Sequence, residues 1–105
     1  MKSKRSKACD IPPQVKLKVF ERDNGLCIIC GEPGIPNAHY IRRSQGGLGI
    51  EQNVVTLCRK CHGRFDDGFY REDYGEKIKN YLSSIYPNWK EEDLIYNKWK
   101  DFNFN

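Results

Sequence analysis

Two pairs of cysteines constrain this chain more than any other feature of its sequence. Each pair encloses two residues, Cys27-x-x-Cys30 and Cys58-x-x-Cys61, and 27 residues separate the pairs. Such pairing is typical of a tetrahedral zinc site built from two tight turns. A chain of 105 residues buries only a modest core, so bound zinc is expected to contribute much of its folding free energy. The fifth cysteine, Cys9, has no partner at this spacing and is expected to be a bystander.

Composition and charge favour a soluble domain that binds a polyanion. Charged residues make up 30% of the chain and hydrophobic residues 38%. No apolar run approaches the roughly 20 residues that cross a bilayer, and no signal peptide is present, so the expected compartment is the cytoplasm. Residues 38–65 carry five basic side chains and one acidic side chain, whereas residues 66–105 are net acidic. The positive charge therefore lies where the candidate site lies.

The second cysteine pair is followed at once by further metal-binding residue types. If the chain becomes helical after Cys58, His62 and Asp66 lie at positions i and i+4 on one face of the helix. An imidazole and a carboxylate suit a harder cation than the one that thiolates select. The sequence therefore predicts two metal sites, with His62 as a less favoured fourth zinc ligand because Cys61 already takes that position.

The rest of the chain divides into three segments. Residues 1–10 are predicted to be a flexible basic tail, and residues 11–70 a zinc-bound domain. Within that domain a helix opens at Pro12-Pro13, strands cover residues 37–41 and 54–57, and the glycine-rich residues 42–49 form a loop able to approach a phosphate. Residues 71–105 are predicted to be a helical extension. Its first helix is broken at Pro87, and its last is capped by Asn88 and Glu91.

The blocks His39-Tyr-Ile-Arg-Arg-Ser-Gln-Gly-Gly47 and Asn53-Val-Val-Thr-Leu-Cys-Arg-Lys-Cys-His62 resemble the HNH endonuclease family in its zinc-stapled form. The small members carried by phages and prophages are the most similar kind. The resemblance implies an α+β fold, a small zinc-stabilised ββα-metal domain (HNH, or His-Me finger) with flanking helices. It also implies hydrolysis of DNA with one divalent cation, such as Mg²⁺ or Mn²⁺, besides the structural Zn²⁺.

Position by position, the resemblance assigns three catalytic residues. His39 matches the general base, Asn53 the asparagine that braces the loop, and His62 a ligand of the catalytic ion. Asp66 falls where many members place a further ligand. We predict contacts to backbone phosphates from three arginines, namely Arg42, Arg43 and Arg64.

One position departs from the family pattern, because Ala38 stands where a metal-binding histidine or aspartate usually precedes the base. Asn37 or Asp67 are possible substitutes for the missing ligand. In an alternative register His39 would be the ligand and Tyr40 would occupy the base position, although the five-residue step from His39 to the serine of the loop favours the first. The competing interpretation is that His39 is a core residue that makes one hydrogen bond and has no catalytic role.

Three functions follow from these observations. The first is a metal-dependent endonuclease of low sequence specificity that acts on DNA, expected to be double-stranded, inside a bacterial or phage-infected cell. The second is an inactive zinc-stabilised nucleic-acid-binding module, which Ala38 favours. The third is a protein-interaction domain, or a homodimer, formed through the aromatic C-terminal helices.

Overall fold

The structure, a computed structural model, describes residues 3–97 of the 105-residue chain. The helices are α1 (Lys4–Cys9), α2 (Pro13–Arg22), α3 (Arg59–Asp66) and α4 (Arg71–Ile85), and the strands are β1 (Ile35–His39) and β2 (Val54–Leu57). Short 3₁₀ turns cover Arg43–Gln45 and Glu91–Leu94. Within residues 3–97, no helix combines the length and apolar character that spanning a membrane demands.

The strand, strand, helix order of β1, β2 and α3 confirms the predicted ββα fold. β2 has the predicted bounds, and all of its residues are buried, as its unbroken run of apolar residues and threonine suggests. α3 begins directly after Cys58, whose Sγ atom accepts a hydrogen bond from the Cys61 N–H at 3.4 Å. That thiol therefore caps the helix as well as belonging to the cysteine cluster. β1 begins and ends two residues earlier than predicted.

A β-bulge in β1 decides which side chains reach the surface. Ile35 pairs with Leu57 but Ala38 pairs with Val55, so β1 holds one residue more than β2 over this stretch. Alternate residues of a strand point to opposite faces, and a bulge redirects those beside it. Ala38 is fully buried in the core, while Asn37 is exposed on the other side.

The hydrophobic core joins the sheet to α3 and α4. As the helical spacing predicts, α4 buries one stripe of its surface, formed by Tyr74, Ile78 and Leu82. These residues pack in the same cluster as Phe65 of α3 and Leu57 of β2. The C-terminal extension is thus part of the domain core, not a separate unit.

A buried ion pair at the end of α2 ties this helix to β2 and α4. The Asp23 carboxylate, whose side chain is 0% exposed, accepts hydrogen bonds from the Arg22 guanidinium at 2.7 and 3.0 Å. It also accepts from the Thr56 N–H at 2.9 Å and the Tyr81 hydroxyl at 2.5 Å. Burial and this hydrogen bond raise the pKa of Tyr81 to about 12. Arg22 donates further to the Val54 carbonyl at 2.7 Å, so the charges of the pair are compensated by hydrogen bonds.

The N-terminal segment differs from the predicted flexible tail. Ser3 caps α1, and Cys9 is 1% exposed at its end. Arg5 donates to the Ser44 carbonyl at 3.1 Å, and the Gly49 N–H donates to the Ala8 carbonyl at 3.0 Å. The prediction was wrong for residues 3–10 because backbone contacts with a distant loop hold the segment, and a basic composition gives no sign of them. Residues 1 and 2 lie outside the described residues.

The glycines of the loop over residues 42–49 serve internal packing instead of the predicted approach to a phosphate. A Cβ atom on Gly47 would collide with the Ile41 carbonyl, and one on Gly49 with the Asp10 carbonyl. Gly46 has a positive φ of 83° and lies against Ile95. A bare backbone is therefore needed at Gly47 and Gly49, because other backbone atoms lie too close to leave room for a Cβ atom.

The prediction of a last helix is also wrong for those of its residues that the structure describes. A 3₁₀ turn over Glu91–Leu94 is followed by extended chain at Ile95. Asn88 has a positive φ of 64° and makes no helix cap with Glu91. The extended residues instead bridge to the loop, with the Leu48 N–H donating to the Leu94 carbonyl at 2.8 Å. The part of this prediction that falls on residues 98–105 lies outside the described residues.

We predict that Asp23→Ala lowers the free energy of unfolding by about 3 kcal/mol, because it leaves the Arg22 charge buried without its partner. Urea denaturation of the zinc-loaded chain measures the change. Lys18→Ala is the control, because it removes a pair with Glu51 that is exposed and 3.8 Å long, and is expected to change stability by less than about 1 kcal/mol. Equal losses in the two variants would contradict the central role of the buried pair.

Candidate metal centres and active site

The two cysteine pairs converge to form one cluster. The four Sγ atoms lie within 4.8 Å of one another, and those of Cys30 and Cys58 are 3.6 Å apart. Sulfur atoms that surround a tetrahedral zinc at about 2.3 Å are roughly 3.8 Å apart, so the cluster fits this ion. None of the five cysteines forms a disulfide.

The first cysteine turn is tight and gives its two thiols different environments. The Gly31 N–H donates to the Cys27 carbonyl at 2.9 Å, and Gly31 adopts the positive φ of 82° that a tight turn of this kind needs. Although burial alone would raise it, the pKa of Cys27 is lowered to about 7 by backbone hydrogen bonds, those of Cys58 and Cys30 foremost. This environment favours the deprotonated, metal-ligating form of Cys27. Although a backbone hydrogen bond with Glu32 lowers it, the pKa of Cys30 is raised by desolvation and by hydrogen bonds with neighbouring thiols.

A cavity of about 300 Å³ beside α3 brings most of the predicted active-site residues together. Side chains from β1, the following loop and α3 line it. They are Asn37, His39, Arg42, Arg43, Ser44, His62 and Asp66.

His62 and Asp66 form the pair that their spacing on a helix predicts. The His62 Nε2 and Asp66 Oδ2 atoms are 3.3 Å apart, close enough to share one small divalent cation. The side chains are 28% and 58% exposed, so a substrate can reach both. Among residues 3–97, no third His, Cys, Asp or Glu completes this pair into a metal-binding cluster of three.

His39 lies at the end of β1 with its ring held in a defined orientation. Its Nε2 atom is 2.8 Å from the Cys9 carbonyl oxygen. Because a carbonyl oxygen only accepts, Nε2 carries the proton, and Nδ1 of the neutral ring keeps a lone pair. Burial lowers the pKa of His39 below its usual value, although the hydrogen bond to Cys9 opposes the shift. The ring is therefore neutral at pH 7 and has one nitrogen available as a base.

Asn53 braces the loop that follows His39. The side chain is fully buried, and its Oδ1 atom accepts from the Ile41 N–H at 2.8 Å. Its Nδ2 atom donates to the carbonyls of Leu48 at 2.8 Å and Ile41 at 3.2 Å. With its amide groups engaged in this way, Asn53 fixes the loop backbone and does not reach a substrate.

The structure distinguishes between the candidates for the missing ligand position. Ala38 points into the core, whereas Asn37 lines the cavity beside His39. Asp67 follows α3 as its C-cap and is not among the residues that line the cavity. Tyr40, the base in the alternative register, donates its hydroxyl to Glu91 at 2.6 Å, and burial raises its pKa. It also lines a different cavity, which disfavours that register.

The three arginines proposed to contact phosphates have different surroundings. Arg42 lines the cavity and donates to the Asp66 carbonyl at 3.2 Å. Arg43 also lines it but pairs with Asp10 in α1's C-cap position. Arg64 does not line the cavity and lies instead over the ring of Tyr70, 5.2 Å from its centroid. The structure thus brings two of the three to the cavity.

Sequence reasoning missed the contribution of the N-terminal segment. Cys9, expected to be a bystander, supplies the carbonyl that holds the His39 ring, and Asp10 pairs with an arginine of the cavity. A main-chain oxygen carries no residue-type signature, so no pattern in the sequence pointed to this contact.

A comparison with protein families supports the resemblance drawn from the sequence. Residues 27–67 match the family model described as HNH endonuclease. This segment begins at the first zinc-site cysteine and ends directly after Asp66. No curated protein matches the chain significantly. The match indicates a nuclease or nucleic-acid-binding function.

We predict that the chain binds one zinc ion and that Cys30→Ala loses both the ion and most of the folded structure. Cys30 is exposed, so removing its side chain affects the metal and leaves the core packing intact. Metal analysis and far-ultraviolet circular dichroism measure the two effects. The matched control is Cys9→Ala, a buried cysteine outside the cluster, which should keep the zinc. Full zinc occupancy in Cys30→Ala would contradict the site.

Proposed function

Residues 27–67 form an HNH domain, and from this premise we propose that the chain is a metal-dependent DNA endonuclease. The observation that carries the proposal is the single cavity shared by His39, His62 and Asp66. This shared cavity supports the assignment of a general base next to a site for a divalent cation. Metal-assisted hydrolysis of a phosphodiester needs both components.

His39 is the proposed general base. Its neutral ring takes a proton on Nδ1 from a water molecule as the water oxygen attacks phosphorus, and the bond to the 3′ oxygen breaks. His62 and Asp66 hold the divalent cation, with Mg²⁺ and Mn²⁺ as the first choices. When bound, this cation would stabilise the negative charge that develops on the phosphate and on the leaving oxygen. Asn53 keeps the loop after His39 rigid, so that the base stays in place.

The surroundings of the cavity support a DNA backbone as the substrate. Arg42 presents a positive charge within the cavity, and a second cavity of about 380 Å³ adjoins it, sharing Arg43 and Ser44. This second cavity adds the charge of Arg5 and the hydroxyls of Ser3 and Ser6. Such groups bind phosphates without reading bases, so we propose low sequence specificity and a double-stranded substrate.

The cysteines support a cellular location. All five are free thiols, and zinc ligation requires them to stay reduced. We propose the cytoplasm, where thiols are kept reduced.

A zinc-stabilised nucleic-acid-binding module without catalysis is the second candidate. The observation that favours it is Ala38, which is buried in the core where a further ligand would normally be expected. Retention on DNA that falls steeply with salt, without cleavage in any divalent metal, would favour this candidate over the first.

We predict that His39→Ala reduces nicking of supercoiled plasmid by at least about 100-fold, because no other group takes the proton from water. Agarose gel assays in Mg²⁺, Mn²⁺ or Ni²⁺ measure the rate. Zinc content and DNA binding of the variant serve as controls and should match the wild type. Equal nicking by the two proteins would remove His39 from its role.

We further predict that Asn37→Asp tightens Mn²⁺ binding on the order of tenfold, because the added carboxylate faces the cation site. Asn37→Ala should weaken binding. Electron paramagnetic resonance of Mn²⁺ added to zinc-loaded protein gives the affinities. Asp67→Ala, outside the cavity, is the control and should bind like the wild type. A loss in Asp67→Ala with no change in the Asn37 variants would transfer the third ligand position to Asp67.

A further inference from the structure

The contact between His39 and the Cys9 carbonyl is made by a segment far away in the sequence. The ring and the carbonyl belong to residues 30 positions apart, and the Nε2–O distance is 2.8 Å. The segment from Ser3 to Asp10, here called the N-terminal clamp, lies outside residues 27–67, which match the HNH family. The orientation of the base therefore depends on a part of the chain outside the family domain.

Two polar contacts fasten the N-terminal clamp beside the active-site cavity. Arg43, which lines the cavity, pairs through its Nη1 atom with the Asp10 carboxylate. Its Nη2 atom donates to the Ser6 carbonyl at 3.2 Å and to the Ser6 hydroxyl at 3.0 Å. One guanidinium thus holds the clamp on either side of Cys9, whose carbonyl is fixed between these two points.

The backbone of the loop reinforces the same arrangement. The Gly49 N–H donates to the Ala8 carbonyl at 3.0 Å, and a side chain at Gly49 would collide with the Asp10 carbonyl. Two successive residues of the clamp, Ala8 and Cys9, therefore direct their carbonyls at groups of the active-site region. If the N-terminal clamp served only to cover apolar surface, it would not need these hydrogen bonds to Gly49 and His39.

We propose that Asp10 and Arg43 are positioning residues, which act through the Cys9 carbonyl to hold His39 in its basic tautomer. The proposal rests on the proposed function of His39 as a general base. A free imidazole exchanges between two tautomers and rotates about its side-chain bonds. Only the form with the proton on Nε2 leaves Nδ1 able to accept a proton, and the carbonyl selects that form.

Nitrogen-15 NMR of the histidine rings tests the proposal directly in full-length, zinc-loaded protein. Because the chain has two histidines, their signals are assigned by comparison with His39→Ala. We expect the wild-type His39 to be present as the Nε2–H tautomer alone. In Asp10→Asn, which keeps the shape of the side chain but removes the charge, we expect a mixture of tautomers. Asp10→Glu, which keeps the charge, should restore the single form.

Plasmid nicking supplies the second readout. Asp10→Asn should lower kcat about tenfold. A loss of this size is typical of residues that orient a metal ligand or a base without contacting the substrate themselves. Its KM for DNA should stay the same or fall, because the variant removes a negative charge near the cavity. Asp67→Asn makes the same change of charge at an exposed position outside the cavity and should retain the wild-type tautomer and kcat.

The outcomes separate this proposal from the function on which it rests. A wild-type His39 with its proton on Nδ1, or an unchanged tautomer and kcat in Asp10→Asn, would overturn the positioning role. A rise in KM with unchanged kcat would also overturn it, since that pattern indicates lost binding. Full activity of His39→Ala would instead overturn the general-base function, while the tautomer measurement would still report whether the clamp holds the ring.

Discussion

The convergence of two distant cysteine turns is the constraint on which the remainder of this structure depends. The cluster joins the turn after α2 to the first turn of α3, and β1 and β2 lie in the chain between these two points. His62 follows Cys61 directly, so the cysteine cluster at the start of α3 also sets where the His62–Asp66 pair of that helix lies. In a chain with so small a core, the geometry of the cysteine cluster and the geometry of the candidate cavity are therefore linked.

The loop after His39 has no regular secondary structure over most of its length, and contacts with other chain segments hold it in place. Asn53 braces it from within through three hydrogen bonds to backbone groups. α1 contacts the loop through the Gly49–Ala8 hydrogen bond, and the extended residues after Leu94 bridge to Gly47. Gly49 is needed where the loop passes α1, because a Cβ atom there would collide with the Asp10 carbonyl. Three chain segments thus hold the loop that follows His39.

Local patterns accounted for the elements closest to the metal centres, and long-range contacts for the rest. β2, α3 and the buried stripe of α4 follow from apolar runs and helical spacing, which are properties of neighbouring residues. The docking of α1, the β-bulge before Ala38 and the 3₁₀ turn over Glu91–Leu94 depend on contacts with residues far away in sequence. The cysteine and histidine spacings pointed to the site residues, but a backbone carbonyl such as that of Cys9 has no residue type to reveal it.

The contacts of the loop with two distant chain segments have a consequence for local stability. Hydrogen bonds such as that between the Arg5 side chain and Ser44, 39 residues apart, close large stretches of chain, and contacts of this kind are entropically slow to form. The bonds of Leu48 and Gly46 to residues 94 and 96 join the loop to the other end of the described chain. The surroundings of His39 therefore depend on contacts between residues far apart in sequence, as the cysteine cluster does, in which Cys30 and Cys58 are 28 positions apart. Local opening of these contacts would disturb the surroundings of His39 at a smaller cost in free energy than unfolding of the whole domain.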